Sequence, residues 1–152
     1  MEVKTITVIG SGLMGAGITQ VAAQAGFEVN MIDISREIVD RGMAGIDRLL
    51  ERQVGKGKIS AEEKGRIISR IIPGTGLEAC KKSQMVIEAV PEKIELKKDM
   101  FRKIDSLTGG EAVLASNTSS LSITEIASVT IKPHRVVGMQ FFSPVPVMKL
   151  VE

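Results

Sequence analysis

The sequence predicts an α/β fold, in which a mostly parallel sheet is doubly wound, that is, covered by helices on both faces. Short runs rich in Val and Ile alternate with longer segments whose apolar residues have helical spacing, which is typical of β-α-β units. A glycine-rich turn joins the first run directly to the first helical segment. Because crossovers between parallel strands are right-handed, successive helices should pack on both faces of the sheet.

The glycine-rich turn is the most informative motif. It follows a first predicted strand, Lys4 to Ile9, and its glycines are Gly10, Gly12 and Gly15. The spacing G-x-G-x-x-G between a strand and a helix is typical of Rossmann-type dinucleotide-binding folds. The first glycine permits a tight turn, the second lets the backbone approach a pyrophosphate, and the third lets the helix pack closely. The N–H groups at the helix start, at Leu13 and Met14, would hold the phosphate charge. A glycine-rich turn without a ligand is the alternative.

An acid ends the second predicted strand. This strand covers Glu28 to Ile32, and Asp33 follows it, about twenty residues after the first glycine. That is where the fold requires a carboxylate to bind the adenosine ribose hydroxyls. Since a carboxylate would repel a 2′-phosphate, we predict NAD over NADP, although the nearby Arg36 could soften that preference. The alternative role for Asp33 is a helix N-cap, for which Ser35 competes.

The remaining elements follow from periodicity and turn residues. Helices are predicted over Leu13–Ala25, Ser35–Val54, Ser60 toward Arg70, Ile94–Ile104 and Ser122–Ser128, and further strands over Met85–Val90, Ala112–Ser116 and Val136–Gln140. Gly26 should end the first helix in a left-handed conformation, and Gly42 and Gly45 should weaken the second. The apolar pair at Ile71 should run into a turn. Two helices between neighbouring strands make an enlarged helical crossover.

Polar residues follow three of the predicted strands. They are Asp33, Glu92 and the run Ser116–Ser120. Ligands bind at the carboxyl ends of parallel strands, so we expect these residues to share one edge of the sheet with the glycine turn. Taken singly, Glu92 could be a solvated acid at a helix start, and the run could be a turn or a capping cluster.

Composition narrows the class of protein. The chain has 152 residues and a net charge of +2, which predicts one domain over residues 1–152 and gives no indication of nucleic-acid binding. Aromatic residues make up 3%, with no Trp or Tyr, so a base-stacking surface is not expected. Charged residues after Met1 and the lack of a long apolar run predict no membrane segment. The single cysteine, Cys80, fits a reducing cytoplasm, and no cluster of ligating residues predicts a metal site.

Four stretches of the chain together resemble a known family. They are Val8–Gly17, Val86–Glu92, Ala115–Leu121 and Phe141–Glu152, and they span the chain in the family's order. The chain is similar to the NAD-binding domain of the L-3-hydroxyacyl-CoA dehydrogenases, which include bacterial 3-hydroxybutyryl-CoA dehydrogenases. This resemblance implies oxidation of the 3-hydroxyl of an acyl-CoA, in fatty-acid or butyrate metabolism, with hydride transfer to NAD.

The resemblance also implies roles on the cofactor side. Asp33 would bind the adenosine ribose, and Glu92 and Lys97 resemble the family's cofactor-contacting acid and lysine. Ser119 resembles the active-site serine that binds both the substrate and the nicotinamide ribose, and Asn117 matches a position beside it.

At four further positions, the sequence matches the family at two and departs from it at two. Lys56 resembles a lysine that meets a CoA phosphate, and Glu152 resembles the carboxylate that orients the catalytic histidine. Gln140 stands where the family has that histidine, the general base, and Ser143 replaces an asparagine of the cofactor site. A glutamine amide can hydrogen-bond a substrate oxygen but cannot carry its proton. His134 is predicted to be a solvated loop residue and not a substitute.

Length is a further departure, because family members continue into a helical domain that closes the cleft and makes a dimer. Whether this chain is a cut domain or a short form stays open. We expect Phe141–Phe142 and Val145–Met148 to expose apolar surface or to be covered by another copy, as in a homodimer. The alternative to an enzyme is a non-catalytic NAD-binding or sensor module on the same fold, which Gln140 favours.

Overall fold

A computed structural model describes residues 2–152, and its six strands form one parallel sheet in the order β3-β2-β1-β4-β5-β6. The strands are β1 Thr5–Ile9, β2 Glu28–Ile32, β3 Ile71–Gly74, β4 Met85–Glu88, β5 Val113–Ser116 and β6 Val136–Gly138. The helices are α1 Leu13–Gln24, α2 Arg36–Gly55, α3 Ala61–Ser69, α4 Ile94–Leu107 and α5 Ile123–Ala127, with 3₁₀ helices over Leu77–Lys82 and Pro133–Arg135. None of these helices is both long enough and apolar enough to span a bilayer. The predicted doubly wound Rossmann-type fold is confirmed.

The sheet separates two apolar clusters, one on each face. Ile6 and Val8 of β1 pack with α1, α2 and α3 on one face, whereas the neighbouring Ile9 packs with α4 and α5 on the other. This alternation follows from the two-residue period of a strand. Because both faces are covered, most residues of the central strands are apolar, as expected of a buried parallel sheet.

One strand was missed by the sequence pattern. Residues after Ile71 were predicted to turn, but Ile71–Gly74 forms β3, whose only neighbour is β2. Pro73 lacks an N–H and argues against a central strand, but an edge strand tolerates it because one side of its ladder is unpaired. The position of β3 at the edge of the sheet therefore explains why residues that predicted a turn, such as Pro73, are found in a strand.

Two strands are shorter than predicted because the chain leaves the sheet early. β4 stops at Glu88, whose carboxylate accepts a hydrogen bond of 2.7 Å from the N–H of Val90. β6 stops at Gly138, and Gln140 instead exchanges two backbone hydrogen bonds with Glu152, at 2.8 and 3.0 Å. The end of the chain thus folds back antiparallel onto the segment that follows β6.

Helix ends follow the predicted capping chemistry. Ser60 accepts a hydrogen bond from the N–H of Glu63 at 3.0 Å, and Gly26 has a φ of +101° directly after α1. In the enlarged crossover, Lys64 of α3 forms ion pairs with Asp47 at 2.8 Å and Glu51 at 2.6 Å of α2. These contacts hold α2 and α3 together as one unit.

The two glycines of α2 have different environments. A Cβ atom added at Gly42 would lie 2.7 Å from the carbonyl oxygen of Ser11 and 3.2 Å from the side chain of Met31. A Cβ atom at Gly45 would meet nothing within 4 Å. Gly42 therefore has a packing role in addition to the predicted weakening of the helix, because it lets α2 approach the glycine turn.

This difference predicts opposite effects of the same substitution. We expect Gly42→Ala to lower the free energy of unfolding by about 1–3 kcal/mol through overpacking. Gly45→Ala should raise it by about 0.5–1 kcal/mol, since alanine has the better helix propensity. Urea denaturation of the two variants beside the unmodified chain measures both, and a stabilising Gly42→Ala would contradict the close approach.

Candidate functional site

The glycine turn is shaped by backbone contacts at two of its three glycines. Gly10 has a φ of +100°, and a Cβ atom there would lie 2.5 Å from the carbonyl oxygen of Ala89. A Cβ atom at Gly15 would lie 1.7 Å from the carbonyl oxygen of Gly10. At Gly12 an added Cβ atom meets nothing within 4 Å. Packing therefore requires the first and third glycines. The second glycine leaves open space in which a ligand can approach the protein backbone.

The first turn of α1 has no side-chain cap. Gly12 is the N-cap residue and offers no side-chain acceptor, and the carbonyl of Gly12 accepts the first helical bond from Ala16 at 2.9 Å. The N–H groups of Leu13 and Met14 precede that bond. Uncapped N–H groups at a helix start, with the helix dipole behind them, suit the charge of a phosphate.

Asp33 is held by the glycine turn itself. Its Oδ2 accepts hydrogen bonds from the backbone N–H of Ser11 at 2.7 Å and from the hydroxyl of Ser11 at 3.0 Å, and its Oδ1 accepts one from Ile34 at 2.7 Å. Ser35 is the N-cap of α2 and accepts from Ile38 at 3.4 Å. The capping alternative for Asp33 is thus excluded, and the carboxylate is left oriented at the edge of the sheet.

The neighbouring arginine is engaged elsewhere. Arg36 pairs with Asp40 one turn along α2, at 2.8 Å, and both side chains are exposed. Among residues 2–152, no cation forms an ion pair with Asp33 that would offset its repulsion of a 2′-phosphate.

A buried polar network lies below the carboxyl ends of β4 and β5. Glu88 and Lys97 have fully buried side chains, and the ammonium of Lys97 donates to Oε1 of Glu88 at 2.7 Å. The other oxygen of Glu88 accepts from the hydroxyl of Ser116 at 2.6 Å. Lys97 also contacts Oε2 of Glu92 at 3.2 Å. Each buried charge therefore has a partner, as burial requires.

Glu92 is the solvent-facing end of this network. Its side chain is 40% exposed, and its carboxylate accepts hydrogen bonds from the hydroxyl of Thr118 and the backbone N–H of Ser119. Partial desolvation favours the neutral acid, but Thr118 and the charge of Lys97 outweigh it and lower the pKa of Glu92 below its ordinary value. Glu92 is thus an ionised acceptor attached to the loop after β5, and the simple solvated-acid alternative does not describe it.

The loop after β5 meets the segment after β6 through Asn117. The N–H of Phe141 donates to Oδ1 of Asn117 at 2.9 Å, and the N–H of Asn117 donates to the carbonyl of Glu88 at 2.8 Å. Ser119 is exposed on the same loop. Gln140 precedes Phe141 and is paired with Glu152, so Ser119, Gln140 and Glu152 are carried by segments tied to one edge of the sheet.

The segment between Gln140 and Glu152 only partly matches its predicted exposure. Val145 is buried, and a Cβ atom at Gly17 would lie 2.8 Å from the Cβ of Val145. The prediction that Val145 belongs to an exposed patch is therefore wrong, because this residue packs on α1. The exposed apolar side chains of this segment are Val147, Met148, Leu150 and Val151.

Three other predicted positions lie on the surface. Lys56 is exposed at the end of α2, Ser143 is exposed on the loop after Phe142, and His134 is exposed on the short 3₁₀ helix before β6. The expectation that His134 is a solvated loop residue agrees with this placement. Within residues 2–152 there is no group of three or more metal-ligating side chains.

An apolar cavity of about 430 Å³ lies beside the glycine turn, between α1, α2 and the loop 144–146. Gln20 is among the residues that line it, and the buried Oε1 atom of Gln20 has no hydrogen-bond partner among residues 2–152. Arg41 lies at its edge, and Arg48 and Arg52 continue the same face of α2 at helical spacing. These three exposed arginines and Lys56 form no ion pair among residues 2–152; we call them the cationic face of α2.

Sequence reasoning missed three residues of the site. Glu88 lies inside the predicted strand Met85–Val90 and has no role in the sequence prediction, yet a lone acid in a buried strand must have a charge partner, and Lys97 on the next helix is that partner. Thr118 was placed only within a polar run, and Ser11 was an unassigned position of the glycine motif. Their contacts with Glu92 and Asp33 depend on side-chain orientation, for which the sequence carries no signal.

Comparisons with known proteins agree with this geometry. The sequence model of the family described as 3-hydroxyacyl-CoA dehydrogenase, NAD binding domain, matches residues 5–152. A probable 3-hydroxybutyryl-CoA dehydrogenase of Bacillus subtilis is 47% identical over all 152 residues, which are 53% of that protein. A 3-hydroxyadipyl-CoA dehydrogenase of Escherichia coli is 45% identical over the whole chain, which is 32% of that protein.

A solved structure extends the comparison to three dimensions. The crystal structure of (S)-3-hydroxybutyryl-CoA dehydrogenase PaaH1 from Ralstonia eutropha superimposes with a TM-score of 0.97 and is 41% identical, covering 99% of this chain and 53% of that one. The chain thus spans about half the length, or less, of these relatives. The chain belongs to the 3-hydroxyacyl-CoA dehydrogenase family, and it corresponds to the NAD-binding domain of that family.

Proposed function

We propose that this chain is the cofactor-binding part of an NAD-dependent dehydrogenase that acts on the 3-hydroxyl of an acyl-CoA, in fatty-acid or butyrate metabolism. The observation that carries the proposal is the meeting of four segments at one edge of the sheet. These are the glycine turn, Asp33, the loop carrying Ser119, and the paired positions 140 and 152. Relatives named as 3-hydroxybutyryl-CoA dehydrogenases support the substrate class.

The residues present fit NAD. The open space at Gly12 and the uncapped N–H groups of Leu13 and Met14 would accept the pyrophosphate. Asp33 retains acceptor capacity for the adenosine ribose. Glu92, Asn117, Ser119 and Ser143 would lie on the nicotinamide side, as the family resemblance implies. Bound NAD would supply the hydride acceptor.

Asp33 should decide between the two nicotinamide cofactors. Since its carboxylate is fixed by Ser11 and would repel a 2′-phosphate, we expect NAD to bind more tightly than NADP. Asp33→Ala should narrow the difference between the two affinities by weakening NAD, while Glu62→Ala, which removes an exposed acid on α3, should leave both affinities unchanged. Titration calorimetry measures this, and tighter binding of NADP to the unmodified chain would refute the role of Asp33.

The cationic face of α2 supports a CoA substrate. Arg41 lines the apolar cavity near the glycine turn, and Arg48, Arg52 and Lys56 continue from it toward the end of α2. A CoA molecule combines phosphates with a pantetheine arm that carries apolar methyl groups and amide N–H donors. Exposed cations suit the phosphates, and the apolar cavity suits the methyl groups of the arm. Lys56 is the position that the resemblance assigns to a CoA phosphate.

Substitution of this face should weaken CoA through its 3′-phosphate. We expect Arg52→Ala and Lys56→Ala each to lower CoA affinity about three- to fivefold, the range of an exposed charge contact, with less effect on dephospho-CoA and at high salt. Arg36→Ala is the matched control, because Arg36 is already paired with Asp40. Equal losses for CoA and dephospho-CoA would show that these residues do not bind the 3′-phosphate.

Gln140 limits the chemistry that this chain can perform. Oxidation of a hydroxyl requires a group that removes its proton, and the resemblance places that group at position 140. The amide of Gln140 and the hydroxyl of Ser119 can hold a substrate oxygen, but neither accepts a proton at neutral pH. Glu152, whose backbone pairs with Gln140, would then have no imidazolium to stabilise. We therefore propose that the chain binds cofactor better than it turns over substrate.

Restoring a base at this position should restore catalysis. We expect negligible reduction of acetoacetyl-CoA by NADH with the 152-residue chain, and weak activity after fusion to the part of the Bacillus subtilis relative that lies outside the match. In the fusion, Gln140→His should raise the rate about 10²–10⁴-fold, whereas the length-matched Gln140→Met should not. Decay of NADH absorbance gives the rates, and equal rates for Gln140→His and the parent would remove position 140 from proton transfer.

A second candidate function is a non-catalytic NAD-binding or sensor module, which Gln140 itself favours. Such a module would bind NAD but not CoA.

We place the protein in a reducing compartment, the cytoplasm, whichever of the two functions it has. The single cysteine, Cys80, is buried, and desolvation raises the pKa of its thiol to about 11.

The segment before Glu152 exposes four apolar side chains, those of Val147, Met148, Leu150 and Val151. Their exposure supports a surface that is covered by a second copy in a homodimer or by further chain.

A further inference from the structure

We propose that Thr118 is a positioning residue, whose hydroxyl ties the carboxylate of Glu92 to the loop after β5 that carries Ser119. This inference rests on the proposed function, in which Glu92 and Ser119 lie on the nicotinamide side of the cofactor. The sequence analysis gives Thr118 no role beyond membership of the polar run Ser116–Ser120, so the assignment comes from its contacts.

The hydroxyl of Thr118 is fully engaged within the protein. The residue is 7% exposed, and a threonine hydroxyl has one donor and two acceptor positions. It donates to Oε1 of Glu92, and it accepts from the N–H groups of Leu121 at 3.0 Å and Ser120 at 3.4 Å. These three contacts fill its capacity. The hydroxyl can therefore affect a bound cofactor only through the groups that it holds.

Two different elements hold the carboxylate of Glu92. Its Oε2 lies 3.2 Å from the ammonium of Lys97 on α4, whereas its Oε1 accepts from Thr118 on the loop after β5. Because the acceptor is ionised, the hydrogen bond from Thr118 is of the stronger, charge-assisted kind. The side chain of Glu92 is 40% exposed, so a ligand can reach the carboxylate. Without the hydroxyl of Thr118, Glu92 would lose its hydrogen-bonded link to that loop through Oε1.

The same hydroxyl shapes the loop around Ser119. The N–H groups of Ser120 and Leu121, which follow Ser119, both donate to it, while Ser119 itself is exposed. On the other side of Thr118, Asn117 is bound to the end of β4 and to the segment after β6. One hydroxyl therefore sets the position of Glu92 relative to Ser119, the two groups that the proposed function places around the nicotinamide ribose.

Removing the hydroxyl without changing the size of the side chain tests this role. The measured quantity is the NADH affinity of the 152-residue chain, from the change in NADH fluorescence. We expect Thr118→Val to weaken NADH about tenfold, the usual effect of losing a hydrogen bond to a charged group. Thr118→Ser, which keeps the hydroxyl, should bind NADH as the unmodified chain does.

A double-mutant cycle and a matched control locate the effect. In the Glu92→Ala background, Thr118→Val should cause little further loss of NADH affinity, because the tie between the two segments is already broken. Thr130→Val also removes the hydroxyl of a buried threonine, but Thr130 donates to the carbonyl of Ala127 at 2.7 Å instead of to Glu92. This control should leave NADH affinity unchanged.

Three results would overturn the inference. They are an unchanged affinity for Thr118→Val, an equal loss for Thr118→Ser and Thr118→Val, and losses that multiply when Thr118→Val is combined with Glu92→Ala. Circular dichroism checks folding, and Thr118→Ala takes the place of Thr118→Val if the valine variant does not fold. If the unmodified chain did not bind NADH, the proposed function would fail together with the inference. NADH binding that is insensitive to Thr118→Val contradicts the inference alone.

Discussion

The contact on which the rest of the site depends is the approach of the first turn of α1 to the end of β1. There is no room for a Cβ atom at Gly15, which would lie 1.7 Å from the carbonyl of Gly10, or at Gly10 itself. This steric constraint fixes where the N-terminus of α1 points. It also places Ser11 so that its N–H and hydroxyl meet Asp33. One backbone contact thus sets both the phosphate end and the ribose end of the cofactor site.

The packing that supports this contact extends outward on both sides. Gly42 brings α2 against the carbonyl of Ser11, and Gly17 brings the loop carrying Val145 against α1. Four glycines around the glycine turn, Gly10, Gly15, Gly17 and Gly42, are therefore sites of close approach between segments, although the G-x-G-x-x-G motif accounts for only two of them. Because protein interiors are densely packed, a displacement of the glycine turn would also displace α2 and the segment that contains Val145.

The sequence predicted the elements of this fold well because periodicity and capping act locally. Strands β1, β2 and β5, the α-helices and the left-handed Gly26 follow from patterns of a few neighbouring residues. The failures arise where position in the sheet decides. Pro73 is tolerated only because β3 is an edge strand, and Val145 is buried only because Gly17 leaves a space on α1. Nothing within a local window of sequence carries that information.

For the site, the sequence located the edge and most of its residues but not the connections among them. Strand ends in a parallel sheet must converge, so Asp33, Glu92 and Asn117 could be predicted as neighbours. The network below them could not, since it requires Glu88 and Lys97 to face each other across β4 and α4.

The same connections bear on the proposed separation of cofactor binding from catalysis. The elements that would hold NAD are joined by hydrogen bonds that lie within the sheet and its immediate loops. Positions 140 and 152 are instead joined to the sheet through Asn117 and through the packing of Val145 on α1. On the proposed function, glutamine at position 140 would remove proton transfer without touching Glu88, Lys97 or the glycine turn. A domain of this construction would keep its cofactor site without a general base.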